Sequence, residues 1–250
     1  MPPIATDAFV LRTYTLGETS KVVVLLTRER GKARAVAKGA RGSPGRYLSA
    51  LEPLSEVRVS LHGRQGAELY RLGQCELMRS AFPTGSRGLE TALALSYFAE
   101  LLESFSQEGE AEDAVYRLAA AVLSAAATGD SVVTLARYLE AWLLRLHGIY
   151  PPIDRCAGCG GALPAGPLAY HAHARGFVCD RCGPASGPLL VDPARRFLAD
   201  VFHRAPAALE AAPAEATILE SFHRDLITQH LERGLRSHRV LSDVARDIAR

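Results

Sequence analysis

The sequence predicts a multidomain α+β chain: a small five-strand barrel, then an all-helical domain interrupted by a cysteine-rich insertion. Three observations predict it. Residues 1–80 show the two-residue apolar alternation of short strands, residues from about 86 onward show apolar positions at four-residue steps, and two Cys-x-x-Cys pairs fall within residues 154–188. With 250 residues, the chain can bury a core in each of two modest domains.

The strands are expected near residues 7–15 (DAFVLRTYT), 19–28 (TSKVVVLLTR), 32–38 (KARAVAK), 54–62 (LSEVRVSLH) and 67–78 (AELYRLGQCELM), where β-branched and alternating apolar residues are punctuated by Gly and charge. The stretch KGARGSPGR between the third and fourth strands is too rich in Gly and charge for a core element and reads as an exposed loop at the barrel rim. The period changes across AFPTGSRG, which sets a barrel domain at 1–80 and a helical domain at 86–250. The stripe Leu89, Leu93, Tyr97, Leu101 and Phe105 opens the helical part. Further helices are expected at about 111–127, 131–147, 192–203, 214–234 and 240–248. The Cys, Gly and Pro-rich stretch 154–188 is too irregular for a long helix or a sheet and reads as an insertion between helices. There is no internal repeat.

A formal net charge of +2 conceals a segregation of sign. Residues 1–80 carry 13 Lys and Arg against 7 Asp and Glu, which leaves 16 basic and 20 acidic residues among the other 170. Within residues 12–46, nine basic side chains face only Glu18 and Glu29, and a polyanion is the natural ligand of such a field. The opening MPPIATDAFVLRTY lacks the basic start, apolar core and cleavage site of a signal peptide, and VVVLL is too short to span a bilayer. A cytoplasmic protein with no membrane association is expected.

The strongest chemical signal is Cys156-x2-Cys159 followed, nineteen residues later, by Cys179-x2-Cys182, each pair with a Gly close behind. Each turn points two sulfurs at one ion, and a hairpin between the pairs can fold back to join them, so one tetrahedral Zn2+ is expected. A closed four-sulfur shell has no coordination position for water or substrate, which makes the ion structural. His171 and His173 lie between the pairs and could replace a sulfur, but four cysteines already complete the shell. The fifth cysteine, Cys75, falls in the last predicted strand and reads as a core thiol.

The second signal is the basic run Lys21, Arg28, Arg30, Lys32, Arg34, Lys38, Arg41 and Arg46. In KARAVAK the two-residue period sends Lys32 and Arg34 to one face, with the chain continuing towards Lys38, and Ala33, Ala35 and Ala37 to the other. A solvated sheet face would look the same. The weak opposition by acids and the barrel context favour a stripe that follows a phosphate backbone. From this run Lys21, Lys32, Arg34, Lys38, Arg41 and Arg46 are the DNA-binding candidates, with Phe9, Tyr14, Tyr47 and Tyr70 as residues that either stack on bases or belong to the core. Glu100, Glu103 and Glu110 read as a solvated helix face, and Trp142, Leu143, Leu146 and Tyr150 as core. No GxxxxGK[ST], HExxH, GxSxG or zinc-deaminase HxE pattern occurs, so catalysis has no visible carrier and no enzyme is expected.

Three stretches together resemble the RecO family of bacterial recombination mediators: TSKVVVLLTRERGKARAVAKGARG, RYLEAWLLRLHGIYPPIDRCAGCG and RGLRSHRVL. The resemblance spans essentially the whole chain, and its most specific part is the helix that runs through a Gly-x-x-Pro turn into the first cysteine pair. It implies that the barrel is an OB-fold and that the insertion is a zinc-ribbon-like module with four cysteine ligands. It also implies binding of single- and double-stranded DNA, annealing of complementary strands and, with RecR, the placing of RecA on strands coated by single-stranded-DNA-binding protein. The acidic C-terminal tail of that coating protein is an implied partner, RecF participation stays open, and a nucleoid-associated location follows. Arg34 and Lys38 match the basic positions of the family's GKxKxxxRG-like stretch, flanked by Lys32 and Arg41, and the four cysteines carry over directly. A zinc-ribbon module acting in transcription or RNA metabolism is the alternative.

Overall fold

The structure is a computed structural model, and it describes residues 3–41, 47–64, 66–183, 187–238 and 240–241. The expected rim loop beyond residue 41, including Arg46, and the expected helix beyond residue 241 lie outside the described residues. The chain divides into two compact units, Met1–Val132 with Leu235–Arg250, and Val133–Gly234.

Five strands form the core of the first unit: β1 (Ile4–Leu16), β2 (Ser20–Thr27), β3 (Gly31–Ala37), β4 (Glu56–His62) and β5 (Tyr70–Arg79). They close into a barrel in the order β1-β2-β3-β5-β4, with β1 paired to β4 and every pair antiparallel except the short parallel contact of β3 with β5. This is an OB-like barrel. Strand β1 starts three residues before the local pattern suggests because Ile4–Asp7 are held by β4, from Ile4 opposite Leu61 to Asp7 opposite Arg58. Pairing between segments so far apart along the chain leaves no local trace in the sequence.

Alternation decides what fills the barrel. Ala8, Val10, Val23, Leu25, Ala33, Ala35 and Ala37 point inward and pack with Val57, Val59, Leu61 and Leu72. Alanines along β3 leave room for Tyr47 and Tyr70, both buried in the same cluster, so these two are core residues and are not free to stack on bases. Cys75 packs against this core, and burial pushes its thiol up to about 11, so it is inert at neutral pH. A register shift between Val10 and Arg12 lets β1 switch phase, so that Phe9 opposite Leu26 and Arg12 opposite Val24 share the outer face.

Part of that outer face is covered within the same unit. After a short turn α1 (Phe82–Gly85), helices α2 (Leu89–Phe105) and α3 (Asp113–Thr128) bring Phe98, Leu102, Phe105 and Tyr116 into the core. Phe9 meets Tyr116 with ring centroids 5.0 Å apart, and Phe9, Val24 and Leu26 are fully buried. Phe9 is thus an anchor for helices. Leu89, expected to open the buried stripe, is exposed because it is the first residue of α2 and has no turn before it to pack against. Gly31 sits at φ +56°, and a side chain there would collide with the backbone oxygens of Glu110 and Gln107, so the α2–α3 loop presses directly on the start of β3.

In the second unit, α4 (Val132–Leu146), α5 (Asp192–His203) and α6 (Thr217–Leu231) enclose an insertion that holds three short strands, β6 (Leu168–His171), β7 (Gly176–Val178) and β8 (Leu189–Leu190), in the order β7-β6-β8. The sequence conceals this sheet because two to four residues per strand are too few to show a period. Leu143 is buried as expected, but Leu146 is 40% exposed, since it ends α4 and turns outward. None of the described helices is long and apolar enough to cross a membrane.

A charged network lies inside this unit. Arg137 reaches Glu140 Oε1 at 3.0 Å, and the other Glu140 oxygen lies 2.8 Å from His223 Nδ1. Tyr150 Oη is 3.0 Å from His223 Nε2. Burial holds Tyr150 well above the usual phenol range, so its O–H donates to Nε2 and the His223 Nδ1–H donates to Glu140. His223 is fully buried, and burial holds it below the ordinary imidazole range, outweighing Glu140, which favours the charged form; the nearby Arg137 adds to the lowering. The unfolded imidazole titrates near about 6.5 and therefore takes up a proton before the folded one does. We predict that stability is fully present above that value and falls as pH drops towards the lower folded pKa. Urea midpoints measured at neutral pH and near pH 5 should show the decrease, and His223→Gln, though weaker at neutral pH, should lack this increment.

Candidate metal centre and nucleic-acid interface

The chain turns from α4 through Gly148 and Pro151–Pro152 into the insertion, where Cys156 and Cys159 stand on one backbone knuckle. In that knuckle the Gly160 N–H donates to the Cys156 carbonyl at 2.9 Å and the Cys156 N–H to the Gly161 carbonyl at 2.8 Å, with Gly160 at φ +70° supplying the left-handed turn. Cys179 follows β7 directly, and the Cys182 N–H closes the second knuckle on the Cys179 carbonyl at 2.8 Å. Hydrogen bonding of the Ala157 N–H to the Phe177 carbonyl at 2.8 Å ties the first knuckle to β7 and brings the two pairs together.

All four sulfurs lie within 4.8 Å of one another, and those of Cys159 and Cys179 are 3.8 Å apart. A tetrahedral ion with metal–sulfur bonds of about 2.3 Å needs sulfur–sulfur edges of about 3.8 Å, so the cluster could hold one metal ion after small adjustment. The protonation pattern points the same way. Backbone N–H groups, first that of Cys179 and then that of Cys159, hold the Cys156 thiol down to about 6, whereas Cys182 is pushed up to about 12, chiefly by Cys179. Cys179 is also held below the ordinary thiol range, chiefly by Cys182, so the cluster favours some thiolates and disfavours further ones until a cation shares the charge. Space is also tight: a side chain on Gly158 would stand 3.0 Å from Cys182 Cβ. His171 is used differently, since its Nδ1 accepts the Ala174 N–H at 3.3 Å, and neither it nor His173 joins the sulfur cluster.

Ring contacts and hydrogen bonds from α5 and α6 brace the insertion. Tyr170 and Phe177 pack on Phe222 of α6 at 5.0 and 5.7 Å. Arg195 of α5 donates to the carbonyls of Pro164, Gly166 and Ile153 at 2.6 to 3.3 Å, so three loop carbonyls share one cation.

In the first unit, the basic candidates fall into two groups. Lys38 follows β3 and is exposed, Lys21 is half-buried at the barrel end in register with Ala37, and Arg41 is exposed with NH1 on the Gly17 carbonyl at 2.8 Å. All three belong to the end of the barrel that carries the β1–β2 turn, and among the described residues Lys21 and Lys38 make no ion pair. Lys32 and Arg34 lie further along the outer face and are engaged. The Lys32 ammonium donates to the Glu103 carbonyl oxygen at 3.0 Å, and Arg34 pairs with Glu108 at 2.9 Å. A reading of residues 12–46 alone misses these partners because they arrive from α2 and the loop after it, and it misses Asp113 at the start of α3, which Arg28 meets at 3.3 Å.

Of the four aromatic candidates only Tyr14 is exposed, at 44%, beside Leu16 at 43%. The Arg12 guanidinium lies 5.2 Å from the Tyr14 ring centroid, and both side chains reach Glu103, the phenol at 3.3 Å and the guanidinium at 3.4 Å. Glu103 is thus a partner of the barrel and not part of a solvated face, and Glu100 accepts the Arg236 and Ser237 N–H groups. Sequence reading left out Arg12. Its spacing of two from Tyr14 on one strand was the available signal.

An OB-like barrel with a basic outer face, joined in one chain to helices that carry a four-thiol centre, defines a barrel protein with a metal-type cysteine module. The family models give the particular lineage. Residues 1–81 match the model described as "Recombination protein O N terminal", and residues 87–239 the one described as "Recombination protein O C terminal". The chain is 36% identical over 234 residues to the DNA repair protein RecO of Koribacter versatilis, covering 92% of this chain and 94% of the relative. It is 34% identical over 240 residues to that of Pelotomaculum thermopropionicum, covering 94% and 92%. Against that of Anaeromyxobacter sp. strain K the identity is 31% over 250 residues, covering 98% of each. The chain belongs to the RecO family of DNA repair proteins.

The sulfur geometry predicts one bound metal ion per chain. Elemental analysis of protein purified without chelator should find that ratio, and Cys156→Ser or Cys179→Ser should lose the ion and lower the melting temperature.

Proposed function

We propose that this chain is a recombination mediator of the RecFOR pathway: it binds single- and double-stranded DNA, anneals complementary strands and, with RecR, helps RecA onto strands coated by single-stranded-DNA-binding protein. Membership of the RecO family supports the class. The observation that carries the DNA-binding step is the uncovered basic and aromatic end of the barrel, where Lys38 and Arg41 are exposed, Lys21 stands half-buried at the barrel mouth, and Tyr14 and Arg12 lie on the outer face of β1. Cations along β3 neutralise phosphates and release counterions, which lets two strands approach. Tyr14 offers a ring on which any base can stack, so binding is indifferent to sequence. Lys32 and Arg34 extend the path once a strand competes for them, and Arg46 completes the set.

The division of labour follows the sequence: a DNA-binding domain at 1–80 and a helical domain at 86–250 with its insertion at 154–188. The boundary between the two family models, between residues 81 and 87, supports it. The four cysteines hold Zn2+, which is structural, because four thiolates leave the ion no open position. RecR, the acidic tail of the coating protein and, indirectly, RecA are the protein partners, with RecF participation left open, and the work is done in the cytoplasm at the nucleoid without a covalent step.

Two outcomes check this reading. Tyr14→Ala should weaken binding to a single-stranded oligonucleotide by about 1–3 kcal/mol while leaving the slope of log affinity against log salt nearly unchanged. Annealing should be followed on complementary strands precoated with single-stranded-DNA-binding protein, with and without RecR. Annealing that depends on the chain and falls with salt supports the mediator, whereas selective RNA binding with no annealing supports a zinc-ribbon module of transcription or RNA metabolism.

A further inference from the structure

The loop between α2 and α3, SQEGEAE, carries three acidic residues, Glu108, Glu110 and Glu112, with Asp113 opening α3 behind them, and lies along the basic strand β3. Its backbone is fixed there almost as an extra strand: the Lys32 N–H donates to the Gln107 carbonyl at 2.8 Å, the Gly109 N–H to the Lys32 carbonyl at 3.3 Å, and Gly31 has no room for a side chain beneath it. From that fixed backbone the Glu108 side chain reaches Arg34 Nη2 at 2.9 Å. The pair borders a cleft of about 110 Å3 whose lining includes Arg30, Lys32, Arg34, Tyr70 and one further acid, Glu68. Three basic residues therefore line one small concavity, and a carboxylate already sits on Arg34.

We propose that Glu108 is a built-in phosphate mimic, which holds Arg34 until a nucleic-acid phosphate displaces it. The inference rests on the DNA-binding reading above and adds its regulation. Guanidinium groups take carboxylate and phosphate through the same forked donors, so the two compete for one geometry. The exchange is easy because both side chains are about half exposed, Arg34 at 50% and Glu108 at 44%, which leaves the pair screened by water. It is also local, because the carboxylate can rotate away while the hydrogen bonds to Lys32 hold the loop in place. The device makes the cleft selective for multivalent anions: a lone monovalent ion gains little over the tethered carboxylate, whereas a strand that already touches Lys38 and Arg41 brings its next phosphate at high effective concentration. It equally speeds release, since a departing phosphate leaves Arg34 with a partner.

The test measures affinity of the full chain for a fluorescent single-stranded oligonucleotide across a salt series, comparing Glu108→Gln, Glu110→Gln, Arg34→Ala and the Arg34→Ala/Glu108→Gln double variant with the unaltered protein. Glu110 is an exposed acid of the same loop that pairs with no cation among the described residues, so its neutralisation changes net charge alone. Glu108→Gln should bind about two- to fivefold more tightly, as expected for releasing an exposed ion pair, and the log-log salt slope should steepen by a fraction of the roughly 0.7 that one added phosphate contact contributes. Glu110→Gln should do much less, and Arg34→Ala should make Glu108→Gln silent. Equal binding by Glu108→Gln and the unaltered chain overturns the mimic and leaves the DNA-binding reading standing. Equal gains from Glu108→Gln and Glu110→Gln overturn it too, as a general charge effect. If no variant binds even in dilute buffer, the mimic and the DNA-binding reading fall together.

Discussion

The two-residue period of β3 is the constraint on which the first unit depends. A five-strand barrel has a narrow interior, and the inward positions of KARAVAK are filled by Ala33, Ala35 and Ala37, small enough for Tyr47 and Tyr70 to complete the core. The same pleat then sends Lys32 and Arg34 outward together, with Lys38 exposed just beyond the strand. Packing and charge are therefore not independent properties of this strand. A slip of one residue would bury Lys32 and Arg34 and expose the alanines, so the requirement to fill the barrel also sets the register of the basic stripe.

The outer face of β1–β3 does two jobs along its length. Where Phe9, Val24 and Leu26 meet Tyr116 and its neighbours it is a helix-packing surface. Towards Tyr14, Leu16 and Lys38 it is open. Between the two zones lie Glu103 of α2, Glu108 of the loop after it and Asp113 at the start of α3: their carboxylates hold Arg12, Arg34 and Arg28, and the Glu103 main-chain carbonyl holds Lys32. The helices thus order the basic side chains and also temper their field. In the second unit a different problem is solved: strands of two to four residues and an irregular loop cannot make a core, and the sulfur cluster, the Phe222 aromatic contacts and the Arg195 hydrogen bonds share the work of holding them. A metal ion is the economical way to organise so short a segment.

Much of this was legible in the sequence, and what was not has a common cause. Local features came through: the β-branched apolar run of β2, the alternation of β3, the helical spacing that places α2 to α6, and the two knuckles, whose sulfurs do converge. Non-local features did not. The extra length of β1 comes from pairing with β4, and the burial of Tyr47 and Tyr70 comes from barrel closure. Glu103 and Glu108 reach the basic stripe from about seventy residues away along the chain, so a window around that stripe could not count them. The small sheet β6 to β8 was hidden because its strands are shorter than any period they could display. Leu89 and Leu146 were misplaced for a related reason: an apolar stripe gives the buried face of a helix but not where the covering neighbour ends.

The decisive measurement is hydrogen exchange of the full, metal-loaded chain with and without a single-stranded oligonucleotide. A barrel face that grips the strand should slow exchange in the peptides of β1 to β3, centred on residues 12–22 and 32–41, and leave helix α6 unaffected. Protection confined to residues 133–234, or none at all at an oligonucleotide concentration that saturates binding, would contradict that picture.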